Sequence, residues 1–402
     1  MSSEARDRLL NYYLSTSSAA NCHFRGAPEI DDRGRFTSRD DALAWLDAER
    51  PNLAAAVGMA ADTGRDQVAQ ELPFKLGVYW DWRLLFDDWL AASAISVHAT
   101  QRLGNRRREG EALNNLGLAL RSAGRFGEAI TAHQTSAAIH HETGNRHSEA
   151  MALNNLGLDL QETRRSDEAI TAHQEAVAIL RETGDRHGGA MALNNLGLDL
   201  QDMRRFGEAI AAHQEAAAIH RETGDRHGEG MALNNLGLAL RQVQRFDEAI
   251  TAHQEARRIY RETGDRQGEG RALNNRGVAL QKMQRSDEAI GAHQEAIKIY
   301  RETGVRYSEG LAFDNLGLAL RDMQRSDEAI ASAADRVERH GHGARPCSCN
   351  QSAAVNSACR VRRLTGGPSW KVTWRIIQNP QFGVARSTRH NRCKTRILHR
   401  RA

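Results

Sequence analysis

Residues 151–190 read MALNNLGLDLQETRRSDEAITAHQEAVAILRETGDRHGGA, and this stretch decides the fold. The next 40 residues match it at 31 of 40 positions. Its motif NNLGL stands at 114, 154, 194 and 234, followed by NNRGV at 274 and DNLGL at 314. A fixed period of about 20–50 residues is typical of stacked supersecondary units. The sequence therefore predicts a repeat array.

Two helix patterns fill each unit. Apolar and small residues follow the spacing i, i+3, i+4, i+7 along residues 153–160, and again along residues 169–179. Gly184 suits a left-handed helix stop, Asp185 is expected to cap the next first helix, and Ser166 to cap the second helix. Two such helices cannot bury their apolar faces alone. We therefore predict an all-α fold in which the units stack into a right-handed α-solenoid.

The unit resembles a tetratricopeptide repeat. The resemblance rests on Leu-Gly at 156–157, Leu160, Glu-Ala-Ile at 168–170 and the small Ala176, and it recurs in phase across 107–330 as five full repeats and a truncated sixth. The 40-residue length is similar to that of kinesin light chains. The resemblance implies that the first helices line a concave groove for an extended peptide. We expect these helices near 107–122, 147–162, 187–202, 227–242, 267–282 and 307–322.

Residues 1–106 form the predicted N-terminal region, of about five helices. The stretches RLLNYYLSTSSAAN and DDALAWLDAERPNLAAAV resemble the segment before the repeats in bacterial signal-transduction ATPases of the NB-ARC/STAND type. No GxxxxGK[ST] phosphate loop occurs, so the resemblance covers only the sensor end. It implies, as an alternative function, a regulatory partner of a separate ATPase. Trp80, Trp82 and Trp89 are expected to plug the open end of the solenoid, with a ligand pocket as the alternative.

One face of each first helix points away from the packing face. With Leu153 at zero on a helical wheel, Asn155 falls near about 200 degrees. The groove is therefore predicted to present an asparagine column comprising Asn115, Asn155, Asn195, Asn235, Asn275 and Asn315. An apolar row lies beside it, comprising Leu118, Leu158, Leu198, Leu238, Val278 and Leu318. A variable polar row comprises Arg121, Gln161, Gln201, Arg241, Gln281 and Arg321.

Two interpretations of the asparagine column stay open. An amide carries a donor and an acceptor, so a column of them suits the N–H and C=O groups of an extended peptide. Each neutral hydrogen bond contributes only ~0.5–1.5 kcal/mol, and ordering a peptide costs ~2–5 kcal/mol. About four asparagines must therefore act together. Alternatively, the amides bond between adjacent helices of near-identical, duplicated repeats.

The recurrent AHQ motif supplies a second column, of histidines, which we expect to be half-buried packing residues. Its members are His133, His173, His213, His253 and His293. Repeats stack ~10 Å apart, too far for neighbouring imidazoles to share a metal ion. Protonation of these rings below about pH 6 is a further hypothesis. We expect no metal site, no cofactor and, since GxSxG and HExxH patterns are missing, no catalysis.

The tail, residues 331–402, breaks the repeat. From 340 onward it holds 13 Lys and Arg and no acidic residue, whereas residues 1–339 carry 51 acidic and 42 basic ones. A disordered segment, a shifted reading frame and a nucleic-acid-binding arm are three alternatives. Cys347-Ser-Cys349 lacks zinc-site spacing. A missing last helix is expected to expose Leu316 and Leu320 and to favour self-association.

The sequence contains no apolar run long enough to cross a membrane and no apolar signal core at its start. A cytoplasmic location is the resulting expectation. The predicted function is a protein–protein interaction scaffold or sensor whose concave groove binds an extended peptide segment. Nucleic-acid association through residues 340–402 is the alternative, which we expect to be less favoured because the tail shows no recognisable fold.

Overall fold

The structure, a computed structural model, describes residues 2–24, 34–325, 327–329 and 331–332. Within them the ordered elements are helices, as the all-α prediction required. The helices with both ends described are, in chain order, α1 Ser3–Cys22, α2 Arg39–Asp62, α3 Asp66–Trp82, α4 Phe86–Arg102, α5 Arg106–Ser122, α6 Phe126–Glu142, α7 Arg146–Glu162, α8 Ser166–Glu182, α9 Arg186–Asp202, α10 Phe206–Thr223, α11 Arg226–Gln242, α12 Phe246–Thr263, α13 Arg266–Lys282, α14 Ser286–Thr303 and α15 Arg306–Asp322. Our predictions for the tail beyond residue 332 lie outside this part of the chain.

Each helix from α5 onward packs against the next to build an α-solenoid. The first helices begin one residue earlier than predicted, at Arg106, Arg146, Arg186, Arg226, Arg266 and Arg306. A continuous apolar core runs through the repeats from Ala150 to Leu320. Because each helix pair has neighbours on both sides, its small and apolar faces are buried only in the stack.

The turns between helices repeat one geometry. Gly184 takes φ +73°, the left-handed conformation predicted for the end of the second helix. Oδ1 of Asp185 accepts a hydrogen bond from the backbone N–H of Gly188 at 2.9 Å and so caps α9, also as predicted. The cap assigned to Ser166 is wrong. Helix α8 already begins at Ser166, and its N-cap residue Arg165 makes no side-chain cap bond.

The N-terminal region contributes four helices within the described residues, rather than about five. Helices α1 and α2 pack on α3 and on each other. Helices α3 and α4 have the phase of the repeats, since Asp66 begins α3 40 residues before Arg106 begins α5. Leu76-Gly77 likewise stands 40 residues before Leu116-Gly117. The stacked array therefore begins at Asp66, ahead of the boundary predicted at 107.

The three tryptophans have different environments. Trp80 and Trp89 are buried in the N-terminal core, which agrees with the capping interpretation. Trp82 is half exposed, contacts Phe24 edge to face at 5.6 Å between ring centroids and lies beneath the guanidinium of Arg39. Trp82 is therefore not part of the predicted plug, because it lies at the end of α3 with its ring turned outward.

At the C-terminal end of the array, Leu316 and Leu320 are not exposed, contrary to the expectation from the sequence. Both side chains are buried, at 6% and 3% exposure. Residues 327–329 are helical, and Ala329 packs against the core that contains both leucines. The apolar surface expected to drive self-association is therefore covered by the beginning of a further helix. None of the helices in the described residues combines the length and apolar character needed to cross a membrane.

Candidate functional site

The first helices of the repeats form one side of the array. Neighbouring first helices contact each other in the pairs α5–α7, α7–α9, α9–α11, α11–α13 and α13–α15. Within the described residues, the second helices from α6 to α14 show no such contacts with one another. Helices on the inside of a curved stack approach more closely than those on the outside. The first helices therefore occupy the concave side.

The asparagine column is a hydrogen-bonded ladder between repeats. Nδ2 of Asn155 donates to Oδ1 of Asn114 in the preceding repeat at 3.0 Å. The same bond joins Asn195 to Asn154, Asn235 to Asn194, Asn275 to Asn234 and Asn315 to Asn274, at 3.0–3.1 Å. The amides thus bond between adjacent first helices, as the second interpretation of the column expected. The five column side chains from Asn155 to Asn315 are half-buried, and the ladder bond uses one of the two Nδ2 protons of each.

Asn115 differs from the other members of the column. It is buried, its Oδ1 accepts from Nε1 of Trp89 at 3.4 Å, and its Nδ2 donates to Oγ of Ser93 at 3.0 Å. Both partners belong to α4, the helix that extends the array toward the N-terminus. Asn115 therefore fastens the first NNLGL repeat to the preceding helix pair and does not face an open groove.

The flanking asparagines connect the ladder to the histidine column. Oδ1 of Asn234 accepts from Nδ2 of Asn275 at 3.1 Å and lies 3.2 Å from Nδ1 of His253. Oδ1 of Asn274 lies 2.9 Å from Nδ1 of His293. One network thus joins a first helix, its own second helix and the next first helix. Because a buried polar group must find partners, the two motifs NN and AHQ recur together.

The histidines are more deeply buried than expected. All five are fully buried rather than half-buried. His133 and His173 turn to an aspartate of the following repeat, with Nδ1 to Oδ2 distances of 2.6 Å to Asp159 and Asp199. In the later repeats burial lowers the pKa of His213 to about 4, of His293 to about 4 and, with Arg241 contributing, of His253 to about 3. These last three imidazoles are therefore neutral at neutral pH.

The apolar and polar rows flank the column with partly accessible side chains. The leucines at 118, 158, 198 and 238 and Val278 are half-buried, and Leu318 is 39% exposed. In the polar row, Nε2 of Gln201 lies 2.8 Å from Nε2 of His213, and Nε2 of Gln281 donates to the backbone oxygen of Asn315 at 3.3 Å. Gln161 is half-buried and Arg321 is exposed.

The two inner arginines differ in their charge environment. Burial lowers the pKa of Arg121, while Asp159, whose Oδ1 lies 3.6 Å away, acts in the opposite direction. Burial alone lowers the pKa of Arg241. No carboxylate of the described residues lies within ion-pair distance of Arg241. Arg241 is therefore a half-buried cation without a charged partner in that part of the chain.

A feature that the sequence analysis missed is a ladder of ion pairs along the turn edge. Arg106, Arg146, Arg186, Arg226 and Arg266 each pair with a glutamate 36 residues later. Arg226 also pairs with the fully buried Glu229. The recurrent RETGDR segment therefore contributes ion pairs between the two helices of each repeat as well as helix caps. The 36-residue spacing of Arg and Glu in the sequence could have predicted these pairs.

Two surface clefts lie away from the asparagine column. One, of about 540 Å³, is lined by Thr251, Gln254 and four charged residues of α12. The other, of about 490 Å³, lies among α8, α9 and α10 and includes Leu180, Asp185 and Ile219. Neither is lined by a column asparagine, because a groove along stacked first helices is an open strip rather than an enclosed cavity.

The geometry defines a class of protein: a helical-repeat solenoid whose first helices line a concave face. The family model described as "Tetratricopeptide repeat" matches residues 108–182, 190–262 and 268–339. The chain therefore belongs to the tetratricopeptide repeat family. Proteins of this family act as interaction scaffolds, and this chain is such a protein. No curated protein matches the chain.

Solved structures are similar in fold at low sequence identity. A signal-transduction ATPase with a tetratricopeptide repeat sensor from Pyrococcus horikoshii has 13% identity and a TM-score of 0.59. The match covers 84% of this chain and 53% of that chain. Aspartyl phosphate phosphatase F from Bacillus subtilis has 12% identity and a TM-score of 0.55, over 88% and 98% of the two chains. Kinesin-light-chain-like repeats from Podosopora anserina have 16% identity and a TM-score of 0.43, over 50% and 97%.

Proposed function

We propose that the concave groove binds an extended peptide segment of a protein partner, through the asparagine column from Asn155 to Asn315. The observation that carries the proposal is the spare bonding capacity of five half-buried amides in one line. The ladder uses one Nδ2 proton of each side chain, and the second proton and the Oδ1 acceptor remain for a ligand.

The ladder itself supports peptide binding, because it fixes the amides before a ligand arrives. A side chain held by one hydrogen bond loses less rotational freedom when it makes a second. Five such amides together contribute ~2.5–7.5 kcal/mol, which is enough to offset the ~2–5 kcal/mol cost of ordering a peptide when each bond is of average strength. The apolar row adds contact area for the peptide's side chains. Asn115 is left out of the proposed groove because α4 occupies its amide.

Arg241 gives the groove one point of side-chain preference. Its half-buried guanidinium has no carboxylate partner among the described residues, and neighbouring repeats carry Gln201 and Gln281 at the same phase. We propose that Arg241 pairs with an acidic side chain of the bound segment. Backbone recognition along the column and one charge contact would together suit a sensor role, the role named for the repeats of the Pyrococcus horikoshii ATPase.

The test begins with selection of peptides from a displayed random library against the full chain. The affinity of a selected peptide is then measured for the wild type and for the column variant N195A/N235A/N275A. We expect at least a roughly tenfold loss, because three bonds of ~0.5–1.5 kcal/mol are removed. The variant N154A/N194A removes two ladder acceptors while keeping the column side chains, so it should lose less affinity, and that loss measures what the fixed amides contribute.

A second readout addresses the peptide backbone directly. N-methylation of alternate peptide bonds in the ligand removes N–H donors and should weaken binding, whereas most single alanine substitutions in the ligand should not. R241Q should weaken only peptides with an acidic residue at the matching position. Equal affinity of the wild type and the column variant, with both fully helical, would reject the proposed groove and leave the column as a structural ladder.

A further inference from the structure

Three metal-ligating side chains meet at one junction between repeats. His187 lies in α9, His220 in α10 and Asp225 in the turn before α11. Oδ2 of Asp225 lies 2.9 Å from Nδ1 of His220 and 3.5 Å from Nδ1 of His187. All three donor atoms lie within 4.8 Å of one another, and the two imidazole rings meet edge to face at 5.8 Å.

His220 is the buried member of the three. Its side chain is only 2% exposed, and its Nδ1 lies 2.9 Å from Oδ2 of Asp225 without the alignment of a hydrogen bond. An imidazole nitrogen buried without a hydrogen bond costs stability, so such an atom calls for an explanation.

Asp225 and Gly228 shape the junction around His220. Oδ1 of Asp225 accepts the backbone N–H of Gly228 at 2.9 Å, which fixes the carboxylate and leaves Oδ2 directed at the two imidazoles. A Cβ on Gly228 would lie 2.5 Å from Nδ1 of His220. Glycine is therefore required at this position for the close approach of the ring and the carboxylate.

We propose that His187, His220 and Asp225 bind one divalent transition-metal ion of the kind that prefers imidazole ligands, such as Zn²⁺. Zn²⁺ bonds of about 2.0–2.1 Å in a tetrahedral arrangement place ligand atoms about 3.3 Å apart. The separations of 2.9 and 3.5 Å from Asp225 lie on either side of that value. The side chain of His187 is 57% exposed, so the fourth position faces water.

The other repeats supply internal controls. His147 and Asp185 hold the same two positions one repeat earlier, with Leu180 in place of the buried histidine. His227 and Asp265 hold them one repeat later, with Tyr260 in that place. A buried histidine, His140, also holds this place two repeats earlier, but Arg107 and Asn145 stand at the other two positions there. Among the described junctions the three ligands therefore meet only at this one. The expectation of no metal site considered the AHQ column, whereas the signal was the combination of His187, His220 and Asp225.

The ion would stiffen one joint of the array. It joins both helices of one repeat to the N-cap of the next, and it lies about two turns along α9 from Asn195 of the asparagine column. Metal binding at this joint would restrict bending between these repeats without touching the groove. The site is therefore independent of the peptide proposal.

Zinc chloride is the probe, and the full chain is measured by equilibrium dialysis and by thermal melting. The variants are H220L, which copies Leu180, H187Q, which copies Gln267, and H147Q as the matched control. We expect the wild type and H147Q to bind one equivalent of zinc more than H220L or H187Q. In H220L and H187Q the affinity of the altered site for zinc should be at least roughly tenfold weaker. Zinc should raise the melting temperature only in the wild type and H147Q.

The tail contains four cysteines that can also bind zinc, and the comparison between variants removes their contribution. The same number of equivalents and the same melting shift in the wild type, H187Q and H220L would overturn the proposal. H187Q changes an exposed side chain, so it decides the question even if H220L loses helicity by circular dichroism.

Discussion

The imidazole of His253 fills the space in which a side chain at Gly237 would lie. A Cβ built on Gly237 would be 2.6 Å from Cε1 of His253, closer than real atoms approach. The same relationship holds for Gly277 and His293. Each AHQ histidine and the glycine 16 residues before it therefore form one packing unit, in which the missing Cβ admits the ring.

Replacement of Gly237 by alanine should therefore destabilise the array. The added methyl group overpacks a fully buried contact, and we expect a loss of ~1–3 kcal/mol in the free energy of unfolding. H253A should remove most of this penalty in the double variant, giving a coupling energy measurable by urea denaturation. The double-mutant cycle subtracts the loss of unfolding free energy that H253A causes by itself.

Gly207 provides the control for that experiment. It is an exposed helical glycine of α10 with no atom within 4 Å of an added Cβ. G207A should leave stability unchanged or raise it by ~0.4–1 kcal/mol, because alanine restricts the unfolded chain. A loss in G237A no larger than the change in G207A would contradict the packing relationship.

Stability should fall on mild acidification. The pKa values of His213, His253 and His293 are lowered in the fold to about 4, 3 and 4 by burial, whereas an unfolded histidine titrates near about 6.5. The unfolded state binds more protons in this window, so these groups stabilise fully above about pH 6.5 and lose that contribution as pH falls toward 4. The slope is up to ~1.4 kcal/mol per pH unit per histidine.

The measurement is urea unfolding at several pH values, compared with the variant H253Q. The variant should show a smaller slope between about pH 6.5 and pH 4.5, since one of the three groups no longer titrates. A melting temperature unchanged between about pH 7.5 and pH 5.5 would argue against neutral, buried imidazoles in the repeats.

Asn234 should matter more to stability than Asn155. Oδ1 of Asn234 accepts from Asn275 and contacts Nδ1 of the buried His253, so N234A leaves two polar groups unsatisfied. We expect a loss of ~1–3 kcal/mol, against ~0.5–1.5 kcal/mol for N155A, which breaks one half-buried bond. Paired urea titrations give both values. An equal cost at the two sites would mean that the link between the ladder and His253 adds nothing.

Trp89 should stabilise the packing of the first NNLGL repeat against α4. It is 4% exposed in the N-terminal core, and its Nε1 donates to Asn115 across the α4–α5 boundary. We expect W89A to cost ~3–5 kcal/mol, whereas W82A, at a half-exposed ring, should cost much less. The comparison is made by thermal melting. A similar loss in both variants would argue against α3 and α4 as part of the stacked array.

The repeat and its helices were readable from the sequence because one 40-residue phase runs through them, whereas the column asparagines as a binding site stay a prediction. The start of the array at Asp66 was not readable, since Leu76-Gly77 keeps the phase while the paired asparagines are lost. The N-cap assigned to Ser166 failed for a similar reason: the tight turn places that residue inside α8. The preferences of residues for helix ends predict where a helix begins only to within a residue or two.

The sequence by itself determined that the chain is a stack of helix pairs, because apolar spacing and small residues at fixed phases leave no other way to bury both faces. Tertiary structure alone decided which polar groups meet. Asn275 reaches Asn234, the partner of His253, only after two repeats stack, and His187, His220 and Asp225 come from three separate elements. Hydrogen bonds and metal sites depend on distances of about 2–3 Å, and such distances are fixed by packing rather than by order along the chain.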